Sequence, residues 1–140
     1  MSLFAKLFSS ASKKVAQFTN ADAAEAYIGG MILAGAIDGD FDDKEFEQTC
    51  QMISANEMLK DFNTDEIVGR WENKVKASIR MAKRDFLNLC EKLQADKDAA
   101  ENVFIGLVEV VYADGRVDEA EDALLDAASK ALQVDASKLM

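Results

Sequence analysis

The sequence predicts an all-α fold, a compact bundle of about six to seven helices, and three observations carry that prediction. The chain of 140 residues contains no proline and only seven glycines. It is rich in Ala, Leu, Glu, Asp and Lys and poor in the β-branched clusters that strands prefer. Its apolar residues recur at three- and four-residue spacing along most of the length. With 49% apolar residues in a chain of single-domain size, there is material for one core.

Residues 1–19 differ from the rest. Residues 1–20 carry Lys6, Lys13 and Lys14 without an acid, a net of +3, whereas residues 21–140 hold −13. Leu3, Phe4, Leu7, Phe8, Ala11, Val15 and Phe18 form one apolar stripe beside those lysines, which predicts an amphipathic helix or arm. Two readings of it stand open. The segment docks on its own domain or is partly disordered, or residues 3–18 lie in a partner's groove or make a peripheral contact with an anionic membrane, an attraction that three lysines without a lipid anchor leave weak. Residues 20–140 then form the helical domain.

Asn20 is placed to cap the first helix of that domain, and the uncharged stretch AYIGGMILAGAI at 26–37 reads as its buried centre. Asp38-Gly39 closes it, because glycine takes the left-handed conformation that ends helices. The next helix starts after Phe41, with Asp42 and Glu45 at capping-box spacing and Phe41 and Phe46 where a hydrophobic staple sits, and runs to about Asn56. Thr64 is the expected cap of the following segment, in which Trp71, Val75, Ile79, Ala82, Phe86, Leu89 and Leu93 hold helical spacing; one long helix or two shorter ones fit. Lys74, Lys76, Arg80, Lys83 and Arg84 interleave with these positions and read as the solvated face of a core helix, with a docking site for an acidic partner as the other reading.

The most informative pattern is a repeat. IDGDFDDKE at 37–45 returns as ADGRVDEAE at 113–121, an offset of 76 that pairs Asp38 with Asp114, Asp42 with Asp118 and Glu45 with Glu121. Upstream, Ala24, Glu25 and Gly30 pair with Ala100, Glu101 and Gly106 at the same offset. The repeated unit is helix, Asp-Gly turn, helix, and the two glycines suit a close crossing of two central helices. A pseudo-twofold arrangement of the halves would bring both turns to one face. Asp122 stands where the first unit has Phe46, so the second turn keeps its capping pair without the staple.

Charge and composition limit the function. A net of −10 opposes nucleic acid, whose phosphates need a basic face, and favours cations or basic protein surfaces. The absence of histidine removes the commonest general base and transition-metal ligand, leaving carboxylates, Lys and Tyr as acids or bases, with no nucleophile motif. We therefore expect no enzyme. Cys50 and Cys90 form neither a CxxC pair nor a disulfide framework, which points to the cytoplasm. No apolar run reaches the length of a membrane span, and the opening residues lack a signal core with a cleavage site.

The acidic turns are candidates for a divalent cation. Glycine directly after the first Asp rules out an EF-hand loop. Carboxylates at a helix N-terminus serve as caps, which alone explains Asp42, Glu45, Asp118 and Glu121. Asp38 and Asp114 stand at the partially negative helix C-terminal ends, where a carboxylate is unfavourable by up to about 1 kcal/mol. An Asx turn or a shared cation offsets that cost. Residues 38–47 and 114–126 each carry a net of −5, a charge density of hard oxygens suited to Ca²⁺ or Mg²⁺.

An uncharged helix ending in (A/I)-D-G-x-(F/V)-D-(D/E)-x-E, once in each half of a small acidic domain, resembles the TerB family of tellurite-resistance proteins. The Leu/Phe/Lys-rich opening and the closing VDASKL add to the likeness, whereas the region from Lys76 to Arg84 is more basic and shorter than that family's pattern. The resemblance implies a helical bundle without catalytic activity, acting in tellurite resistance and related stress responses. It also implies a cation-binding surface formed here by Asp38, Asp42, Glu45, Asp114, Asp118 and Glu121. The implied partners are a TerC-like membrane protein and TerD-like proteins, with the chain in the cytoplasm or peripheral at the inner face of the membrane. Direct handling of tellurium oxyanions fits poorly with a −10 chain and two distant thiols.

Overall fold

In a computed structural model, described over residues 20–37, 43–113, 115 and 117–140, the chain is all-helical, with no strand among those residues. Seven α-helices run α1 (Ala21–Ala36), α2 (Asp43–Ser54), α3 (Thr64–Ala77), α4 (Ile79–Lys92), α5 (Lys97–Val111), α6 (Glu119–Leu132) and α7 (Ala136–Leu139), with a 3₁₀ turn at Glu57–Leu59. The segment 1–19, the Asp38-Gly39 turn, and the expectations for Phe41, Asp42 and Asp114 lie outside the described residues.

Two helices form the centre. Asn20 starts α1 by accepting a hydrogen bond from the Asp22 N–H at 2.8 Å, as its position suggested. Twelve of the 16 residues of α1 are buried, and 11 of the 15 of α5, so both are enclosed nearly all round rather than on one face. Small residues set their approach. A Cβ at Gly106 would stand 2.6 Å from Tyr27 Cε2, and one at Gly30 would stand 2.8 Å from Phe86 Cε1, so each glycine leaves room for a ring from a neighbouring helix.

The other helices are amphipathic and wrap this pair. Trp71 of α3 lies over Gly29, and Phe86 of α4 over Gly30; each ring is at most 1% exposed, a burial of about 1.5–3 kcal/mol for a side chain of the Phe class. The segment 71–93 forms two helices, because Ser78 takes an extended conformation (φ −167°, ψ 112°) that ends α3 and caps α4 by accepting from the Met81 N–H at 3.2 Å. Lys74 bridges the pair by donating to Asp85 at 3.0 Å while lying over the Trp71 ring, and Lys76 pairs with Glu72. α6 packs against α4 and α5, and α7 closes against α5.

Two boundaries differ from expectation. Asn63 rather than Thr64 caps α3, accepting from the Glu66 N–H at 3.2 Å; the amide oxygen reaches the N3 donor, and Thr64 becomes the first helical residue. α2 stops at Ser54 rather than near Asn56. Asn56 is used instead to start the 3₁₀ turn, accepting from the Met58 N–H at 2.9 Å and donating to the Tyr27 hydroxyl at 2.9 Å.

Candidate functional site

Of the six acidic candidates, Glu45, Asp118 and Glu121 are described. Asp118 and Glu121 form the capping box that their spacing predicts. The Asp118 carboxylate accepts from the Glu121 N–H at 2.8 Å, and the Glu121 carboxylate accepts from the Asp118 N–H at 3.3 Å. Gly115, at φ +79°, turns the chain before it, a conformation that favours glycine. Glu45 stands in the first turn of α2, where its charge complements the helix dipole.

Glu45 and Glu121 meet across one groove. It has a volume of about 170 Å³ and is lined by Ala34 and Gly35 of α1, Glu45, Gln48, Thr49 and Met52 of α2, Val110 of α5, Ala113, and Glu121 of α6. Two pairs in that lining, Ala34 with Val110 and Glu45 with Glu121, are separated by the repeat offset of 76. Among the described residues no group of three or more His, Cys, Asp or Glu side chains is arranged to hold a metal. The remaining candidates Asp38, Asp42 and Asp114 lie outside the described residues.

Sequence reasoning missed Glu109. It sits in the otherwise apolar centre of α5, 2% exposed, and neither carboxylate oxygen has a hydrogen-bond partner. Burial pushes its carboxyl up to about 8. The signal was present as a single acid inside FIGLVEVVYA, a place where a core helix otherwise carries none. Burial and the adjacent Glu109 likewise push the Tyr27 hydroxyl well above its usual range, with the Asn56 hydrogen bond opposing them.

The chain belongs to the TerB family. The family model described as tellurite resistance protein TerB matches residues 24–140, which takes in both central helices and both acidic turns. No curated protein and no solved structure matches the chain.

The remaining features of this TerB-family chain add no second reactive centre among the described residues. Both cysteines are free, and burial pushes the Cys90 thiol up to about 12 and raises Cys50 as well, so neither is an activated thiolate. No helix among the described residues is long and apolar enough to cross a membrane. A larger groove of about 440 Å³ between α5, α6 and α7 is floored by Phe104 and Leu125 and rimmed by Glu119, Asp122 and Asp126.

Proposed function

We propose that the protein is a non-catalytic cytoplasmic adaptor of a tellurite-resistance or stress-response system, whose paired acidic turns bind a divalent cation and whose surfaces dock partner proteins. The observation that carries the reading is the meeting of Glu45 and Glu121 across one groove, although they lie 76 residues apart in sequence. Glu45 and Glu121 line one groove, and each belongs to a stretch of net −5 in the sequence; a Ca²⁺ or Mg²⁺ ion held by Asp38, Asp42, Glu45, Asp114, Asp118 and Glu121 would offset the repulsion between such stretches. TerC-like and TerD-like proteins are the partners this reading names. Raised thiol pKa values and a net of −10 argue against direct reduction or capture of tellurium oxyanions.

A second reading, a protein-protein module with no metal, is favoured by the capping box itself, since Asp118 and Glu121 already have a structural use at the N-terminus of α6. An NMR titration of the full chain with Ca²⁺ and separately Mg²⁺ decides between them. Saturable amide shifts in both turns together, lost in Asp38→Asn or Asp114→Asn, support the cation; weak, unsaturable shifts spread over every acid leave the docking module.

A further inference from the structure

The larger groove between α5, α6 and α7 and the basic segment 1–19 complement each other. Phe104, Leu125, Ala136 and Met140 give the groove an apolar lining, and Met140 is half exposed. Its acids all stand on α6. Glu119, Asp122 and Asp126 are three and four residues apart, so they form one stripe along that helix. Among the described residues only Asp126 of the three has an ion-pair partner, Lys130 at 3.0 Å, and those that line the groove include no lysine or arginine.

The direction of the helices brings the segment to this groove. Tyr27 meets Gly106, Gly30 lies by Leu107, and Ala34 shares a lining with Val110, so α1 and α5 run the same way and start at one end of the bundle. α6 runs the opposite way. Its Glu121 shares a lining with Val110 and Ala113 at the end of α5, and its Ala131 carbonyl accepts from the Gln94 side chain, just before α5, at 2.8 Å. Asn20 therefore enters α1 at the end where α6 finishes, and a segment running back from it along α6 passes Asp126 before Glu119. Residues 3–18, in the helical form that their spacing predicts, extend about 24 Å. Lys6 and Lys13 lie seven residues apart, as Glu119 and Asp126 do, a rise of about 10.5 Å in each case.

We propose that the groove of α5, α6 and α7 receives residues 3–18 of the same chain, the apolar stripe of that segment lying against Met140 and Ala136, with Lys13 paired to Asp126 and Lys6 to Glu119. The net of +3 on residues 1–20 meets acids that lack a partner, and apolar surface is covered on a side where α7 has only four residues. Neither the divalent cation nor a docked partner is needed for this contact.

The test is a nuclear Overhauser measurement on the full chain, labelled with ¹³C at the methionine and alanine methyl groups. Contacts from Met140 and Ala136 to at least one of the rings of Phe4, Phe8 and Phe18 are expected, unchanged in relative intensity on dilution. The double reversal Lys6→Glu with Lys13→Glu should remove them, and Glu119→Lys with Asp126→Lys in that same chain should bring them back; both acids are exposed, so the fold persists. Absence of the contacts in the unaltered chain, or ring contacts to methyl groups elsewhere with none to Met140 or Ala136, overturns the docking. Contacts that fade on dilution assign the groove to the segment of a second copy and overturn it equally. Contacts that survive the lysine reversal, or that the second pair of substitutions does not restore, overturn the pairing with Glu119 and Asp126.

Discussion

Leu33 and Glu109 lie in the two buried central helices, 76 residues apart in sequence, and are enclosed almost equally, at 0% and 2% exposure. Leu33 gains free energy from that enclosure. Glu109 loses it, because a carboxyl group without a hydrogen-bond partner is desolvated for no local return. Two helices with similar burial and a glycine at each crossing therefore differ at this position: α1 places an apolar side chain there, and α5 a carboxyl group that stability does not require.

Transplanting the acid gives the largest expected effect. Leu33→Glu places a second carboxyl in the core and should destabilise the fold by about 4 kcal/mol or more, measured by urea unfolding. A loss below about 1 kcal/mol would mean that the core admits water, and the contrast between the helices would collapse. The reverse exchange, Glu109→Leu, should stabilise the protein by about 1–3 kcal/mol at pH 8.

The pH profile carries the sign of the Glu109 effect. The folded carboxyl is raised from 4.5 to about 8, so between those values the native state binds more protons than the unfolded chain. Stability from this group is intact below pH 4.5, falls with a slope approaching about 1.4 kcal/mol per pH unit, and is lost once the pH passes about 8. Glu109→Leu should flatten that limb. An unchanged slope in the variant would assign the pH dependence to other groups.

A smaller difference separates the glycines. Gly106→Ala should cost about 1–3 kcal/mol, because its Cβ would meet the Tyr27 ring, and that ring is held by the Asn56 hydrogen bond. Gly30→Ala meets the Phe86 ring edge, which has no such tether and can shift, so its cost should be the lower of the two. Equal thermal shifts in the two variants would show that Asn56 does not fix the tyrosine.

Much of this architecture was legible from patterns that depend on nearby residues. The uncharged run at 26–37, the Asn20 cap and the Asp118–Glu121 box follow from spacing within a turn or two, and each stands where the pattern puts it. The break at Ser78 was not readable, since the apolar periodicity continues across it, and a serine, though favoured at N-caps, is also tolerated inside a helix with its side chain turned to solvent. Asn63 and Thr64 are both competent caps, and which one is used depends on how the preceding 3₁₀ turn delivers the chain. Glu109 was missed for another reason. The Tyr27 hydroxyl that shares its surroundings comes from a distant segment, and a periodicity count treats Glu109 as one polar residue on an apolar helix.

The smallest expected effect separates the two uses of an acidic turn. Asp118→Ala removes the side chain that accepts the Glu121 N–H and should cost about 1 kcal/mol, whatever the ionic conditions. Asp118→Asn keeps a cap of nearly equal quality and removes the charge. If the carboxylate serves only the helix end, the Asn variant should melt within a few tenths of a kcal/mol of the parent, both with and without Ca²⁺. If it also serves a cation, the parent should gain stability on adding Ca²⁺ and the Asn variant should gain less, because binding to the native state alone raises its stability with ligand concentration. Thermal melts of the parent and both variants, each with Ca²⁺ and with chelator, therefore assign Asp118 to the cap, the cation or both.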